Sequence, residues 1–376
     1  MRGSKPLPPL WPDLPPATSA SLFYGLHGAP DPPTDPAVWR SELGLISRNR
    51  LAGLAIKVIA EAGITLDDDV TEQLRRSQAF SLARVMRLEA AAPRVAELLE
   101  RQGIRSVFTK GPALARAYAD PATRVFSDLD VVVPPERYWD AVATLQAEGF
   151  EPNEPIPPRR WFSEKCREAT GLGNGELSVD VHHHIPPWVF AERLPFERLW
   201  ADAIPLKLEA GTVSSPSDEH HLIVALLHLF SHLGRPGREP IVWRDILVLV
   251  DVLGDDRVVW ALNAAGLAGL GRYAFDSLPA AVRPAVTKRL PRGMRPGLAF
   301  RVRQMMPPNI GSGHVLGILF RLPLSNAPAF VASYVFPSRE FIRRHVEPGE
   351  PATLLRWWRN GIRGYIEFRR SRGIRS

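Results

Sequence analysis

Three aspartates and one lysine are the residues whose type and spacing most directly suggest chemistry. Asp128 and Asp130 lie one residue apart in SDLDVVV, residues 127–133. A half-buried strand repeats with period two, so both acids share a face with Val132, while Leu129, Val131 and Val133 take the other. Two carboxylates on one face stand roughly 6.5–7 Å apart and repel one another. Something positive must neutralise them, either Arg or Lys side chains, such as Arg124 or Arg137, or bound cations. A third acid, Asp180, lies in ELSVDVHHHI, where alternation puts Ser178, Asp180 and His182 on one face. Three carboxylates converging on one side of a small sheet suit two divalent ions, since Mg²⁺ takes oxygen ligands and phosphoryl-transfer sites pair two ions about 3.5–4 Å apart. Lys110-Gly111 falls where a strand hands over to a helix. The free amides of a helix start beside a lysine form a phosphate-binding corner, although Lys110 also fits a plain counter-ion for the acids.

The elements that must hold these residues follow from periodicity and turn residues. Residues 1–36 contain ten of the 37 prolines and read as an extended, disordered arm. Residues 37–103 read as a helical segment, with Pro93 expected to kink or divide its last helix. Then come the strand IRSVFT, a helix opened by Gly111 and Pro112, the strand of Asp128 and Asp130, an amphipathic helix over PPERYWDAVATLQAEGF, and the strand of Asp180. This mixed helix-and-strand core is drawn at residues 104–210. From 211 to 376 the pattern turns helical and ends in a basic tail.

Charge and cysteine usage narrow the setting. The net charge is +7, and +6 of it falls between Arg339 and the C-terminus, where ten arginines face four glutamates. The body is near neutral, which is not the footprint of a uniformly basic nucleic-acid surface. In the tail, Leu354, Leu355, Trp358, Ile362 and Ile366 form an apolar stripe with arginines outside it; packing on the body is the expectation, and an anionic partner the alternative. The single cysteine, Cys166, fits a reducing compartment and sits in a polar loop without a catalytic context. MRGSKPLPPL has no apolar signal core, and no run of about eighteen apolar residues suggests a membrane span, so a cytoplasmic protein is expected.

The histidines offer weaker motifs. His182, His183 and His184 alternate faces on a strand and do not converge on one zinc. His221, His228 and His232 share a helical stripe, but the HxxxH pair lacks the glutamate of a metalloprotease helix and reads as packed or surface residues.

The order Lys110-Gly111, Tyr118, Arg124, Asp128-x-Asp130 and Asp180-x-His182 resembles the bacterial uncharacterised nucleotidyltransferase family of the DNA polymerase β-like superfamily. The resemblance runs from about residue 40, through RDILVLVD, to FPSREF at 336–341. It implies an α+β fold with a small mixed sheet flanked by helices. It also implies transfer of a nucleoside monophosphate from an NTP to an acceptor (small molecule, peptide or protein), with Mg²⁺ or Mn²⁺ as cofactor. Asp128, Asp130 and Asp180 would be the metal ligands and catalytic acids, and Lys110, Gly111, Arg124 and His182 the nucleotide contacts. Other readings are a catalytically silent nucleotide-binding protein of the same fold, or an adaptor on anionic surfaces acting through the basic tail.

Overall fold

A computed structural model describes residues 11, 14–153, 164, 168–186, 188–231, 240–291, 328, 331–332, 335–337, 339, 342–343 and 351–371. At its centre is a five-stranded mixed sheet of order β1 (Val107–Thr109), β2 (Leu129–Val132), β5 (Ser178–His182), β4 (Ala169–Gly173) and β3 (Glu151–Pro152). Strands β2 and β5 are parallel and the other neighbours antiparallel. A separate hairpin joins β6 (Ile204–Leu208) to β7 (Gly211–Ser215).

The alternation along β2 divides two cores. Leu129, Val131 and Val133 join Phe108, Val179 and Val181 in one apolar cluster. This cluster is covered by α4 (Asp68–Arg101) through Val85, Leu88, Val95 and Leu99, and by α6 (Tyr138–Ala147) through Tyr138, Val142 and Leu145. Val107 and Val132, on the opposite face, enter a larger helical cluster.

That larger cluster mixes the two ends of the described chain. It contains Leu22 and Phe23 of α1 (Pro16–Phe23), Trp39 of α2 (Pro36–Arg48) and Leu54 of α3 (Ala52–Glu61). It also contains Leu226 of α8 (Asp218–Ser231), Trp243 of α9 (Pro240–Ala264) and Phe275 of α10 (Ala268–Asp276). The N-terminal and C-terminal helical segments therefore share one core rather than standing apart. The remaining labelled helices are α5 (Gly111–Ala115), α7 (Phe196–Ala201) and α11 (Leu354–Ser371).

Two expectations need correction. The described part of the Pro-rich arm is ordered: α1 buries Ala17, Ala20, Leu22 and Phe23, and Trp11 stacks on Phe23 at 5.2 Å. Proline content marks where the chain bends, but PATSASLF supplies its own apolar stripe. A distant acid completes the helix start, since Glu42 accepts from the amides of Ala17 at 3.1 Å and Thr18 at 2.7 Å. The second correction concerns Pro93, which lies inside one 34-residue helix and does not divide it. The ring packs against the β6–β7 turn, where a Cβ on Gly211 would come within 2.9 Å of Pro93 Cβ. Burial of Ala92, Val95 and Leu99 keeps the helix continuous despite the missing N–H donor.

Candidate active site

The register of the sheet brings the acids together. Asp130 on β2 pairs directly with Asp180 on β5, and Val132 with His182. Because the strands are parallel and in register, equivalent side chains lie on one face. Asp130, Asp180 and His182 each offer a ligand atom, and these atoms lie within 4.8 Å of one another. Asp128 lies just before β2 and is not part of that tight group, although its carboxylate is close enough to interact with the others electrostatically.

Asp130 is the buried hub. Its Oδ1 accepts from Lys110 Nζ at 2.7 Å and contacts His182 Nε2 at 2.9 Å. Burial opposes ionisation there, but the Lys110 charge and the His182 hydrogen bond outweigh it and hold the carboxyl well below the usual range. The lysine feels the converse: burial disfavours its ammonium, and the charges of Asp130, Asp128 and Asp180 overcome this and raise its pKa. Asp128 has no such partner. Burial first, then the Asp130 and Asp180 charges, push it up to about 6, with Lys110 and Arg50 pulling the other way. Asp180 is also raised, chiefly by burial.

The donor set fits a divalent cation. Two acids lie within ligand reach of each other, the third sits at the strand entrance, and the pKa values of Asp128 and Asp180 are raised by their crowding and burial. Carboxylate oxygens suit Mg²⁺ or Mn²⁺. The fold also makes room for one carboxylate. Gly171 on β4 pairs with Asp180, and a Cβ at that position would come within 2.9 Å of Asp180 Oδ1.

The other expected contacts are distributed differently. Lys110 Nζ is engaged with Asp130. Gly111 opens a helix of only five residues, and a Cβ there would meet Phe126 Cδ2 at 3.2 Å, so its smallness serves packing. Arg124 is not gathered with the acids. It is buried, with Nε and Nη2 on the two carboxylate oxygens of Asp245 at 2.6 and 2.8 Å and Nη1 on Val125 O at 2.8 Å. Arg137 pairs with Asp140 at 2.7 Å. His182 orients Asp130 through Nε2 and keeps Nδ1 buried without a partner.

The remaining histidines do not form a second site among the described residues. His183 packs between the rings of Tyr138 and His184, each at 4.4 Å. His221 is fully buried on α8, and burial followed by the Arg116 charge pushes it down to about 3. His232 and Cys166 lie outside the described residues.

Three residues near the acids escape the sequence reading. Arg50 and Arg84 both donate to Ser127, and Gly171 makes space for Asp180. No short motif marks them, since each acts on a segment distant in sequence.

A small mixed sheet with acids on adjacent parallel strands, enclosed by helices, is a nucleotidyltransferase-type α+β core. The chain belongs to the uncharacterised nucleotidyltransferase family, whose model matches residues 35–268. That match ends short of the FPSREF segment at 336–341, to which the resemblance had extended. A solved structure described as an antigenic nucleotidyltransferase-like protein from Paracoccidioides brasiliensis is also similar. It is 16% identical with a TM-score of 0.34, covering 55% of this chain and 94% of that one. No curated protein matches the chain. Among the described residues, no helix is long and apolar enough to cross a membrane.

Proposed function

We propose that this protein transfers a nucleoside monophosphate from an NTP to an acceptor, with release of pyrophosphate, using Asp128, Asp130 and Asp180 around divalent cations. The observation that carries the reading is the in-register pairing of Asp130 with Asp180, with His182 on the same face. Family membership supports the NTP as donor.

In this reading the acceptor oxygen forms a bond to the α-phosphorus while the bond from that phosphorus to the bridging oxygen breaks. The electron pair leaves with pyrophosphate, and the acceptor proton must be taken up. Asp180 is suited to that task, because burial raises its basicity above that of an ordinary carboxylate. Asp130 stays ionised and is fixed in orientation by Lys110 and His182. Asp128 completes the ligand set. A divalent cation, when bound by these acids, supplies charge neutralisation of the triphosphate. The core at 104–210 carries the chemistry in this reading, and the surrounding helices shape its approaches. A single cysteine supports a reducing, cytoplasmic setting.

The test is incubation with each α-labelled NTP, Mg²⁺ or Mn²⁺, and a cell extract supplying small-molecule, peptide and protein acceptors. The expected result is a metal-dependent labelled product that the Asp130→Asn and Asp180→Asn variants do not form. Nucleotide binding without any labelled product would favour a silent nucleotide-binding protein instead.

A further inference from the structure

Two arginines stand beside the acids with no salt bridge among the described residues, Arg50 acting on Asp128 only through its field. Arg50, in the turn between α2 and α3, donates from Nη2 to Ser127 Oγ at 3.0 Å. Arg84, on α4, donates from Nε to Ser127 O at 3.0 Å. Ser127 is the residue immediately before Asp128, so the two cations bracket the entrance of the Asp128-x-Asp130 motif from separate helices. Both residues are half-buried, and among the described residues neither forms an ion pair.

A guanidinium carries five N–H donors in a planar fork. Arg50 and Arg84 each use one of theirs on Ser127. Arg124, by contrast, donates from all three nitrogens inside its buried pair with Asp245 and Val125. A purely structural tie to Ser127 would need only one neutral donor, and the anion that Arg50 faces, Asp128, is itself disfavoured by burial and by its neighbouring acids.

The backbone at Arg50 adds a second observation. Its φ is 61°, and Leu51 N bonds back to Ile46 O at 3.0 Å to close α2. Helices usually place glycine at this left-handed position, because a Cβ is strained there. An arginine held in a strained conformation beside an acidic site points to a task for its side chain.

We infer that Arg50 and Arg84 clamp the polyphosphate tail of the nucleotide, the portion that leaves as pyrophosphate. This rests on the nucleotidyl-transfer reading and assigns the tail-binding cations within it. Lys110 is engaged by Asp130, Arg124 is engaged by Asp245, and α5 is too short to act as an anion-binding helix start. Two guanidinium forks match phosphate oxygens bidentately. When the bond between the α-phosphorus and the bridging oxygen breaks, negative charge collects on the departing pyrophosphate, and these cations stabilise it there.

The test uses magnesium tripolyphosphate, a probe with no base or sugar, titrated calorimetrically into the full chain. Arg50→Gln and Arg84→Gln keep a donor for Ser127 but remove the charge. Each should weaken tripolyphosphate binding roughly ten- to a hundredfold, the range of one charged hydrogen bond. Arg50→Gly removes the strained side chain and should melt no lower than wild type while binding the probe as poorly as Arg50→Gln. Variants that bind tripolyphosphate within twofold of wild type would overturn the clamp and leave both arginines as ties to Ser127. Absence of tripolyphosphate binding in the wild type would overturn it too. The transfer reading itself stands or falls separately, on label transfer from NTP by the wild type.

Discussion

Arg124 and Asp245 form a two-pronged buried pair, with Nε to Oδ1 at 2.6 Å and Nη2 to Oδ2 at 2.8 Å. Tyr118 O–H donates to the same Oδ1 at 2.6 Å. The pair ties the segment leading into β2 to α9, and so sets where Asp128 and Asp130 emerge relative to the helical core. Arg244, next in the chain, donates from Nη1 to Leu22 O at 2.6 Å and lies 5.4 Å from the Tyr118 ring centre. One stretch of α9 therefore anchors both the approach to the acids and the end of α1.

Asp245→Ala should be the most damaging of the substitutions outside the acidic face. It removes the carboxylate that the buried Arg124 guanidinium and the Tyr118 hydroxyl share. Breaking one partner of such a pair costs about 3–5 kcal/mol, whereas replacing both with apolar residues costs much less. Urea unfolding of Asp245→Ala, Arg124→Met and the Arg124→Met/Asp245→Leu double variant measures this. The double variant should be clearly more stable than Asp245→Ala alone. Equal destabilisation of all three, or a loss below about 1 kcal/mol in Asp245→Ala, would show that the pair does not hold this junction.

Gly171→Ala addresses the space beside Asp180. The new Cβ would lie 2.9 Å from Asp180 Oδ1 and 3.0 Å from Asn153 Nδ2, so the carboxylate or the amide must move. A cost of roughly 1–3 kcal/mol in stability is expected for overpacking. The more informative effect is on the site. Displacing one carboxylate should weaken Mn²⁺ binding about tenfold or more and reduce transfer by at least as much, because misplaced ligands lose alignment as well as affinity. Unchanged Mn²⁺ affinity would mean that Asp180 does not hold the ion.

The strands were legible in the sequence because their signal is local. Leu129, Val131 and Val133 alternate with Asp128, Asp130 and Val132, and that pattern alone assigns the two faces. The same rule selected Asp180 and His182. Register between strands is not local, and only the structure shows Asp130 opposite Asp180. The partner of Arg124 was out of reach for the same reason, since Asp245 is 121 residues further on. Arg50 and Arg84 reach the site from helices 77 and 43 residues before Ser127, with no motif to join them. The ordered arm was obscured because proline composition outweighed the short apolar stripe of α1.

The C-terminal helix α11 gives a prediction opposite to the one its stripe suggests. Among the described residues of the stripe, Leu355 is 75% exposed and Ile362 61% exposed, so these two side chains are not covered as the packing expectation required. Trp358 ties the helix to the preceding segment: Nε1 donates to Val335 O at 2.7 Å, and its ring meets Phe336 edge-on at 5.9 Å. Deleting residues 351–376 should leave the thermal midpoint within about two degrees of the full chain, since Leu355 and Ile362 bury little apolar surface. Differential scanning calorimetry of the two chains decides it, and a drop of several degrees would show that α11 packs on the body in solution.

The neighbouring aspartates should respond to the same substitution in opposite directions. Asp130 is stabilised as an anion by Lys110 and His182, whereas Asp128 is an anion disfavoured by burial and by Asp130 and Asp180. In EDTA at pH 7, Asp128→Asn should stabilise the fold by up to about 2–3 kcal/mol, the equivalent of a shift from 3.8 to about 6. Asp130→Asn should destabilise it by roughly 3 kcal/mol or more, because it leaves Lys110 without its partner. Between about pH 4 and pH 6 the folded protein holds more protons at Asp128 than the unfolded chain does, so this group makes stability fall as pH rises through that window. Asp180, also raised, adds to the same slope. Asp130 acts the other way: its contribution is present above the unfolded carboxyl pKa and is lost at more acidic pH. Burial lowers the pKa values of His220 and His221, and these make stability rise with pH over the same range, so the acid is read as a difference: in EDTA, wild type should gain on Asp128→Asn as the pH falls from 7.5 to 5. Proton competition at Asp128 also makes Mg²⁺ raise the melting temperature more at pH 7.5 than at pH 5. Urea melts of wild type and both variants from pH 4 to 8, with and without Mg²⁺, read all of these signs. If Asp128→Asn and Asp130→Asn shift stability in the same direction at pH 7, the assignment of Asp130 as paired hub and Asp128 as crowded acid is wrong.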